Sequence, residues 1–472
     1  MTLVMDPRIQ APATAVRPLP PTPRTPGWWR DAVGVATWAS MLVVVALWVA
    51  GGGLQAFGTL AGALSSVGRL TGLVSANLLL IQVLLMARIP MVERVYGQDE
   101  LVRRHRLVGF TSFNLMLAHL VFIVLGYALE AGLNPLVQAW EMVVDYPGML
   151  LALAGTVLLV LVAFTSMRRA RRKLRYESWH LLHLYAYLGV GLALPHQLWT
   201  GSEFLANPVA AAYWWGLWAA AAASILIWRV AVPLYRSLRH ELRVVQVTPE
   251  GPDVVSVAMT GRDLDRLGAQ AGQFFNWRFL AGPGWTRAHP YSLSAAPDGR
   301  TLRITVKDLG DGSHGLSGVP VGTRVLIEGP YGRLHPGVRT SRKVTLMASG
   351  IGISPMCALL AGLPQQPGEV TLIYRAASDA DLALRGEIET VARQNGARVF
   401  YVVGNRMPGR PSWLPASAGA LTDAEALAQL VPAIADNDVY LCGATAWMDA
   451  AAQAARDCGV PAERIHCERF SW

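Results

Sequence analysis

The sequence predicts three fold classes in series: an all-α membrane domain of six helices, an antiparallel β-barrel, and an α/β domain of the Rossmann-like kind. Of the 472 residues, 53% are hydrophobic and only 15% charged, against about 25% charged in an average soluble domain. The apolar residues form long unbroken runs in the first half and short alternating runs in the second. Charge divides at the same place. Residues 1–240 hold 19 Lys and Arg against 10 Asp and Glu, and residues 241–472 hold 22 of each, so the whole net charge of +9 lies in the first half. Basic residues set between long apolar runs read as membrane topology. They do not form the basic patch of a nucleic-acid binder, and no nucleic-acid partner is expected.

Residues 1–27 carry Pro18, Pro20, Pro21, Pro23 and Pro26 and read as a disordered, polyproline-like cytosolic tail. They lack an apolar run followed by a small-residue cleavage site, so no signal peptide is expected. Six apolar segments follow at 32–50, 70–90, 107–127, 148–166, 179–199 and 210–232, each near the ~20 residues that span a bilayer. Basic residues crowd alternate loops. Arg94, Arg103, Arg104 and Arg106 separate segments two and three, and Arg-Arg-Ala-Arg-Arg-Lys-Leu-Arg at 168–175 separates four and five. Arg236 and Arg239 follow segment six, whereas the other loops hold Arg69 alone. Positive-inside logic places both termini in the cytoplasm of a multi-pass protein of the cytoplasmic (plasma) membrane.

From about residue 240 the runs shorten and alternate, at 242–248, 254–260, 273–280, 301–307 and 323–328, as in a small antiparallel barrel. From about 340 strands and helices alternate: 343–348 then 355–362, 369–374 then 382–394, 398–403, and 439–441 then 446–458. That alternation is an α/β nucleotide-binding pattern. The domain boundaries are therefore 28–235, 236–338 and 339–472. Cys357, Cys442, Cys458 and Cys467 all lie in the last third with no CxxC spacing, and they read as reduced thiols of a cytosolic domain.

Of the ten histidines, four matter most. His105 and His119 lie 14 apart on segment three, and His183 and His196 lie 13 apart on segment five. Both segments start on the cytoplasmic side. His105 then shares a depth with His183, and His119 with His196, the two levels being about 20 Å apart. Ionisable groups at membrane depth are costly and usually functional. Two stacked bis-histidine sites suit the axial coordination of haem iron. Thirteen residues turn His196 roughly 140° from His183, and Pro195 offers a bend at that point. His180, beside Trp179 and one turn before His183, is a rival inner ligand.

The second half adds three motifs. His289-Pro290-Tyr291-Ser292-Leu293-Ser294 sets a ring and two hydroxyls beside a histidine, which suits a flavin and its ribityl or phosphate groups. Gly312-Ser313-His314-Gly315 follows a strand and can present backbone N–H groups to a phosphate. Gly350-Ile351-Gly352-Ile353-Ser354-Pro355 stands between a strand and a helix, where glycine lets a pyrophosphate approach the helix N-terminus. Cys442-Gly443 ends a later strand. Arg375 ends the second nucleotide strand and can pair with a 2′-phosphate, as can Arg385, Arg406 or Arg410. The donor is therefore NADPH, with NADH as the alternative.

On these residues the chain resembles the ferric reductase and NADPH oxidase family. The paired histidines carry the resemblance, with the stretch Leu174-Arg175-Tyr176-Glu177-Ser178-Trp179-His180-Leu181-Leu182-His183 and the motifs from His289 to Cys442. The resemblance implies two b-type haems, the inner on His105 and His183 and the outer on His119 and His196. It implies FAD held at His289, Pro290, Tyr291, Ser292, Gly312, Ser313 and Gly315. It also implies a nicotinamide nucleotide at Gly350, Gly352, Pro355 and Gly443, with Cys442 near the nicotinamide. A terminal aromatic, Phe470 or Trp472, would stack on the isoalloxazine. The expected function is a transmembrane oxidoreductase moving electrons from cytosolic NAD(P)H through FAD and haem to an outer acceptor. That acceptor is ferric iron or a chelate, or dioxygen to give superoxide; the alternative is a protein or quinone partner. No obligate protein partner is expected, and no EF-hand loop or iron–sulfur spacing is present. Arg69, the one base expected outside, is predicted to approach an outer haem propionate or an anionic acceptor. Arg69→Ala should then shift the outer haem potential or lower turnover; unchanged values of both would contradict that role.

Overall fold

The computed structural model describes residues 28–171, 174, 176–201, 207–282, 285–310, 313–419 and 421–469. The tail 1–27, residues 202–206 of the loop after α7, Gly312, Phe470 and Trp472 lie outside the described residues. The chain divides into two compact units between Arg229 and Val230.

The first unit is helical: α1 Trp28–Ala50, α2 Leu60–Met86, α3 Pro90–Tyr96, α4 Gln98–Ala131, α5 Pro135–Asp145, α6 Met149–Ser166, α7 Tyr176–Trp199 and α8 Pro208–Ser224. Among the described residues five helices can cross a membrane by length and composition: α1, α2, α4, α6 and the run Pro208–His240. α7 has the length, 24 residues, but carries His180, His183, His196 and Gln197 among its apolar residues. α4 stops at Gly132 in the left-handed conformation, and α5 starts at once, with Asn134 capping the amide of Leu136 and Pro135 in the first turn. α3 and α5 lie within stretches that read as loops, because each is too short for a spanning run.

α2 packs along α4, and α6 along α7. Trp38, Phe110, Val157 and Phe164 remain exposed, as side chains facing hydrocarbon would be. Polar groups between helices find one another. Ser40 Oγ lies 2.9 Å from Asn77 Oδ1 and 2.7 Å from the Tyr213 hydroxyl, which joins α1, α2 and α8. A π-helical stretch, Ile225–Ala231, follows α8; Pro233 comes just after it and has no N–H to continue the regular ladder.

The second unit opens with α9, Val232–His240. Two three-stranded antiparallel sheets follow. One has β1 Arg243–Gly251, β2 Val254–Thr260 and β5 Thr301–Lys307, in the order β1-β2-β5. The other has β3 Phe274–Phe279, β4 His289–Ser292 and β6 Val325–Tyr331, in the order β4-β3-β6. Their edges meet at single bridges, Arg243 to Arg324 and Leu293 to Ile304. Alternating residues of both sheets, among them Val257, Ile304, Phe275, Trp277 and Leu293, fill the space between them.

A five-stranded parallel sheet completes the unit, in the order β11-β10-β7-β8-β9. Its strands are β7 Val344–Ser349, β8 Val370–Ala376, β9 Arg398–Val403, β10 Asp438–Cys442 and β11 Ile465–Cys467. Four helices accompany it: α10 Ile353–Gly362, α11 Arg385–Asn395, α12 Asp423–Leu430 and α13 Thr445–Asp457. β7, β8 and β10 read as continuous apolar runs because they are covered on both faces. The sequence reading missed α12 and β11. The three residues of β11 pair parallel with β10, an arrangement with no local pattern.

β11 is tied down from the side. His466 Nε2 lies 2.9 Å from Oδ1 of the fully buried Asp438, which also accepts from the Thr340 amide at 2.7 Å and from the Ser341 amide. Burial alone pushes the Asp438 carboxyl up; the His466 hydrogen bond and the two amides outweigh it and hold the carboxyl below the usual carboxylate range. This stabilisation is present above the unfolded-state pKa, about 3.9, and is lost as pH falls through the lower folded-state value. Asp438→Ala should destabilise the second unit by about 3 kcal/mol near neutrality, with a penalty that shrinks below about pH 4. Thermal melts of the full chain against pH test this; a penalty independent of pH would contradict it.

Candidate functional site

In the first unit His105 and His183 meet across α4 and α7, and His119 and His196 are electrostatic neighbours on the same two helices. The rings of His105 and His183 are 6.0 Å apart between centroids, at 66°. His196 has His119 as an electrostatic neighbour. Helices that bring 105 to 183 and 119 to 196 run in the same direction. His180 is not part of the His105 pair; its electrostatic neighbours are His183 and Arg229. Trp179 packs on His183 at 5.0 Å, and the Arg171 guanidinium lies 4.5 Å over the Trp179 ring. Arg69 and Tyr127 are electrostatic neighbours on α2 and α4.

The second nitrogens of these rings bear on whether they fit haem. His119 Nδ1 is 2.8 Å from the Gly68 carbonyl, and His183 Nδ1 is 3.2 Å from Ser166 Oγ. A hydrogen bond at Nδ1 fixes the tautomer that leaves Nε2 as a ligand. Among the described residues no hydrogen-bond partner meets His105 Nδ1 or His196 Nδ1, both buried, an expensive state for a polar atom. Gly72 makes room for one ring: a Cβ there would lie 2.6 Å from His119 Nδ1. Imidazoles paired at two levels fit a haem at each level. Among the described residues no group of three or more His, Cys, Asp or Glu could hold a bare metal ion.

In the second unit the flavin-type motif is β4. Its pairing with β3 sets His289 opposite Trp277 and Tyr291 opposite Phe275. Trp277 Nε1 donates to the Tyr291 carbonyl at 2.8 Å, and the His289 and Tyr291 rings stack at 6.1 Å. Burial pushes the Tyr291 hydroxyl up, with Asp308 adding to it, so it stays a neutral donor. Ser292 Oγ is buried with no partner among the described residues; a flavin hydroxyl or phosphate oxygen would supply one. Pro290 lies between these residues, opposite Asn276.

The phosphate loop differs from expectation. The amides of Ser313 and His314 both donate to the Gly310 carbonyl at 3.0 Å, and Ser313 Oγ engages Asp308, so these groups close the turn on itself. His314, 2.7 Å from Asp308, holds that carboxyl low, and Gly315 is exposed. Gly312 lies outside the described residues.

The parallel sheet reverses its order between β7 and β10, the point where α/β sheets bind nucleotides beyond their strand ends. A cavity of about 500 Å³ lies there, lined by Ser349 and Gly350 after β7, Arg375 and Ala376 of β8, Gly404 after β9 and Ala444 after β10. Gly350 has φ +54, with nothing within 4 Å of a Cβ position. A Cβ on Gly352 would lie 2.2 Å from the Cys442 carbonyl oxygen, so only glycine lets the β7 and β10 turns touch. Gly443 follows Cys442 in that β10 turn. Pro355 is buried in the first turn of α10, beside Ser354, whose Oγ donates to the Thr305 carbonyl at 2.7 Å. Burial pushes the Cys442 thiol up, with Glu468 and Cys467 adding to it. Cys442 is therefore a neutral thiol at the end of β10.

Arg375 is buried, and its guanidinium donates to the carbonyls of Ala376, Val402 and Asn405. Its hydrogen bonds brace the loop and do not reach toward a ligand. Arg406 and Arg410 line the same cavity and are exposed. The sequence reading also missed the polar chain from the flavin-type motif into α11. Arg303 bridges Ser294 Oγ at 3.0 Å and Glu387 at 2.8 Å. Its only sequence signal is a charged residue facing inward on an alternating strand.

Comparison with known proteins bears on both units. Residues 71–194 match the family described as ferric reductase like transmembrane component, and residues 346–453 match the oxidoreductase NAD-binding domain. With the five apolar helices, the first match makes this a multi-pass membrane protein. The ferredoxin reductase component of 3-ketosteroid-9-alpha-monooxygenase from Mycolicibacterium smegmatis is 32% identical over 241 residues, 49% of this chain and 65% of that protein. A flavohemoprotein of Bacillus subtilis is 30% identical over 208 residues, 43% of this chain and 51% of that one. The chain thus spans half to just under two thirds of the length of these relatives. The flavohem-like FAD/NAD binding domain of a Vibrio cholerae nitric oxide dioxygenase is 28% identical, covering 49% of this chain and 99% of its own, at a TM-score of 0.40.

Gly352→Ala should force the β7 and β10 turns apart, destabilising by about 1–3 kcal/mol and weakening dinucleotide binding. Titration of the full chain with 5′-ADP and a thermal melt check this; wild-type values in both would contradict the close-approach role.

Proposed function

Because the chain pairs a ferric-reductase-like transmembrane component with an oxidoreductase NAD-binding domain, as the ferric reductase and NADPH oxidase superfamily does, we propose that it is an NAD(P)H-dependent oxidoreductase that passes electrons across the plasma membrane. The acceptor on the outer side is ferric iron or a chelate, or dioxygen. The carrying observation is the pairing of His105 with His183 and of His119 with His196 on α4 and α7.

In this reading six helices form the membrane domain, with both termini cytoplasmic, and the two antiparallel sheets form the flavin barrel. Bound flavin would supply the change from two-electron to one-electron chemistry, and bound haem iron the one-electron steps through the apolar layer. His105 and His183 hold the inner haem, and His119 and His196 the outer. The hydrogen bond at His119 Nδ1 would leave its other nitrogen to hold the iron. His289, Tyr291 and Ser292 hold the flavin, and Ser292 Oγ gains the partner it lacks. Gly350, Gly352 and the start of α10, with Pro355, receive the dinucleotide pyrophosphate, and Cys442-Gly443 borders the nicotinamide.

An anaerobic spectrum of the purified chain with FAD, before and after NADPH, tests the reading. Haem bands that become reduced are expected, and admitting oxygen or a ferric chelate then identifies the acceptor. His183→Ala should lower haem content from about two per chain to about one. Folded protein without haem after expression with ample haem supply would overturn the proposal.

A further inference from the structure

β5 runs between the flavin-type motif and the dinucleotide turn. Leu302, Ile304 and Val306 point into the space between the antiparallel sheets, so Arg303, Thr305 and Lys307 point the other way. Each of these three residues meets a different part of the parallel-sheet layer. Arg303 donates to Glu387 of α11 at 2.8 Å, the Thr305 carbonyl accepts from Ser354 Oγ of α10 at 2.7 Å, and Lys307 Nζ lies 3.4 Å from Asp381.

Thr305 is the junction. Its hydroxyl donates to Ser294 Oγ at 2.7 Å and lies 2.8 Å from Ser256 Oγ, while its carbonyl takes the Ser354 hydroxyl. Ser256, Ser294, Thr305 and Ser354 are all buried. Ser294 is held to β5 twice more, its amide donating to the Arg303 carbonyl at 2.8 Å and its Oγ accepting from Arg303 Nε at 3.0 Å. Ser294 follows Ser292 at the end of the flavin-type motif, and Ser354 follows Gly352 in the first turn of α10. The flavin-type strand and the dinucleotide turn are therefore joined by a hydrogen bond on each side of a single residue.

Stability does not call for these hydroxyls. Valine has the shape of threonine, favours strands and carries no polar atom to desolvate. A buried polar network whose members partner one another instead specifies one arrangement of the elements it joins. The reaction proposed above needs such an arrangement. Hydride transfer breaks the C4–H bond of the nicotinamide and forms an N–H bond on the flavin, oxidising the first and reducing the second by two electrons. It requires reacting atoms about 3–3.5 Å apart, and a 1 Å misplacement can cost about a hundredfold in rate.

We infer that Thr305 is a positioning residue for hydride transfer: with Ser294, Ser354 and the Arg303–Glu387 pair it sets the spacing between the flavin-binding strand and the dinucleotide turn. The inference rests on the flavin and nicotinamide-donor readings above.

The test uses the full chain in detergent with FAD, under anaerobic conditions. Stopped-flow absorbance gives the rate constant of flavin reduction at saturating NADPH or NADH, and the long-wavelength charge-transfer absorbance between nicotinamide and flavin. Bound FAD, affinity for 5′-ADP and the melting temperature are measured separately. Thr305→Val should lower the rate constant by about tenfold or more and weaken the charge-transfer absorbance, with FAD content and 5′-ADP affinity unchanged. Thr305→Ser keeps the hydroxyl and should recover most of the rate. Ser354→Ala cuts the path at its other end and should also slow reduction, which keeps the inference testable if Thr305→Val does not fold. Wild-type rate constants in Thr305→Val and Ser354→Ala would overturn the inference and leave the donor reading standing. A slower rate in step with lost FAD, weaker 5′-ADP binding and a lower melting temperature, or one that Thr305→Ser does not recover, would also overturn it, since either assigns Thr305 to packing alone. Failure of both nucleotides to reduce the wild-type flavin, with no binding of 5′-ADP, removes the donor reading and the inference together.

Discussion

An imidazole buried in hydrocarbon needs a partner for each of its nitrogens, and the first unit is built around that need. Water is absent from the bilayer core, so polar atoms there must be satisfied within the protein or by a bound group. Four histidines on two helices would be a severe penalty if each stood alone. Carbonyl and hydroxyl groups serve one nitrogen on His119 and on His183, whereas one nitrogen on His105 and on His196 has no hydrogen-bond partner among the described residues. The close-packed helix pairs α2 with α4 and α6 with α7 bring those carbonyl and hydroxyl groups within reach. The neighbouring of His105 with His183 and of His119 with His196 requires α4 and α7 to run in a common direction.

The second unit answers a different constraint, that a dinucleotide must come close to backbone. Sheet order reverses between β7 and β10, so the chain leaves the two strands in opposite directions and a cleft opens between them. Gly352 allows the turns to meet at the base of that cleft, and Gly350 keeps its mouth clear. The buried Asp438–His466 pair holds β11 at the far edge. The Arg303 bridge to Ser294 and Glu387 ties the flavin-type strands to α11. The flavin-type motif and the nucleotide cleft therefore belong to one packed body, as hydride transfer between two bound groups requires.

Arginine illustrates how one residue type serves three ends in this chain. The run at 168–175 reads as membrane topology by sequence position alone. Arg303 and Arg375 are structural: one meets a carboxylate and a serine, the other three carbonyls. Arg406 and Arg410 keep their charge exposed at the cavity. Nothing in the local sequence around these side chains separates the braces from the exposed cations. The difference lies in which acceptors the folded chain brings within three ångströms or so.

Much of the architecture is legible in the linear sequence. Long apolar runs, their alternating basic loops, the period-two strands and the later strand–helix alternation all arise from local periodicity, which burial imposes directly on sequence. Histidine spacing set the two levels and the pairs, and left open only whether His183 or His180 is the partner of His105. Other elements are not legible. α3, α5 and α12 are short, and β11 is three residues whose pairing with β10 is purely non-local. The phosphate loop shows how local reasoning fails, because the Gly310 carbonyl captures amides that the motif leaves available. Arg375 fails for a similar reason, since β9 and its loop supply acceptors that the β8 sequence does not contain. The sequence by itself determined the membrane half, the two sheet classes and the residue types available for chemistry, because hydrophobic periodicity and motif spacing are local. Only the tertiary structure decided which turns touch and which arginines face the cavity, because each depends on groups brought together from distant parts of the chain.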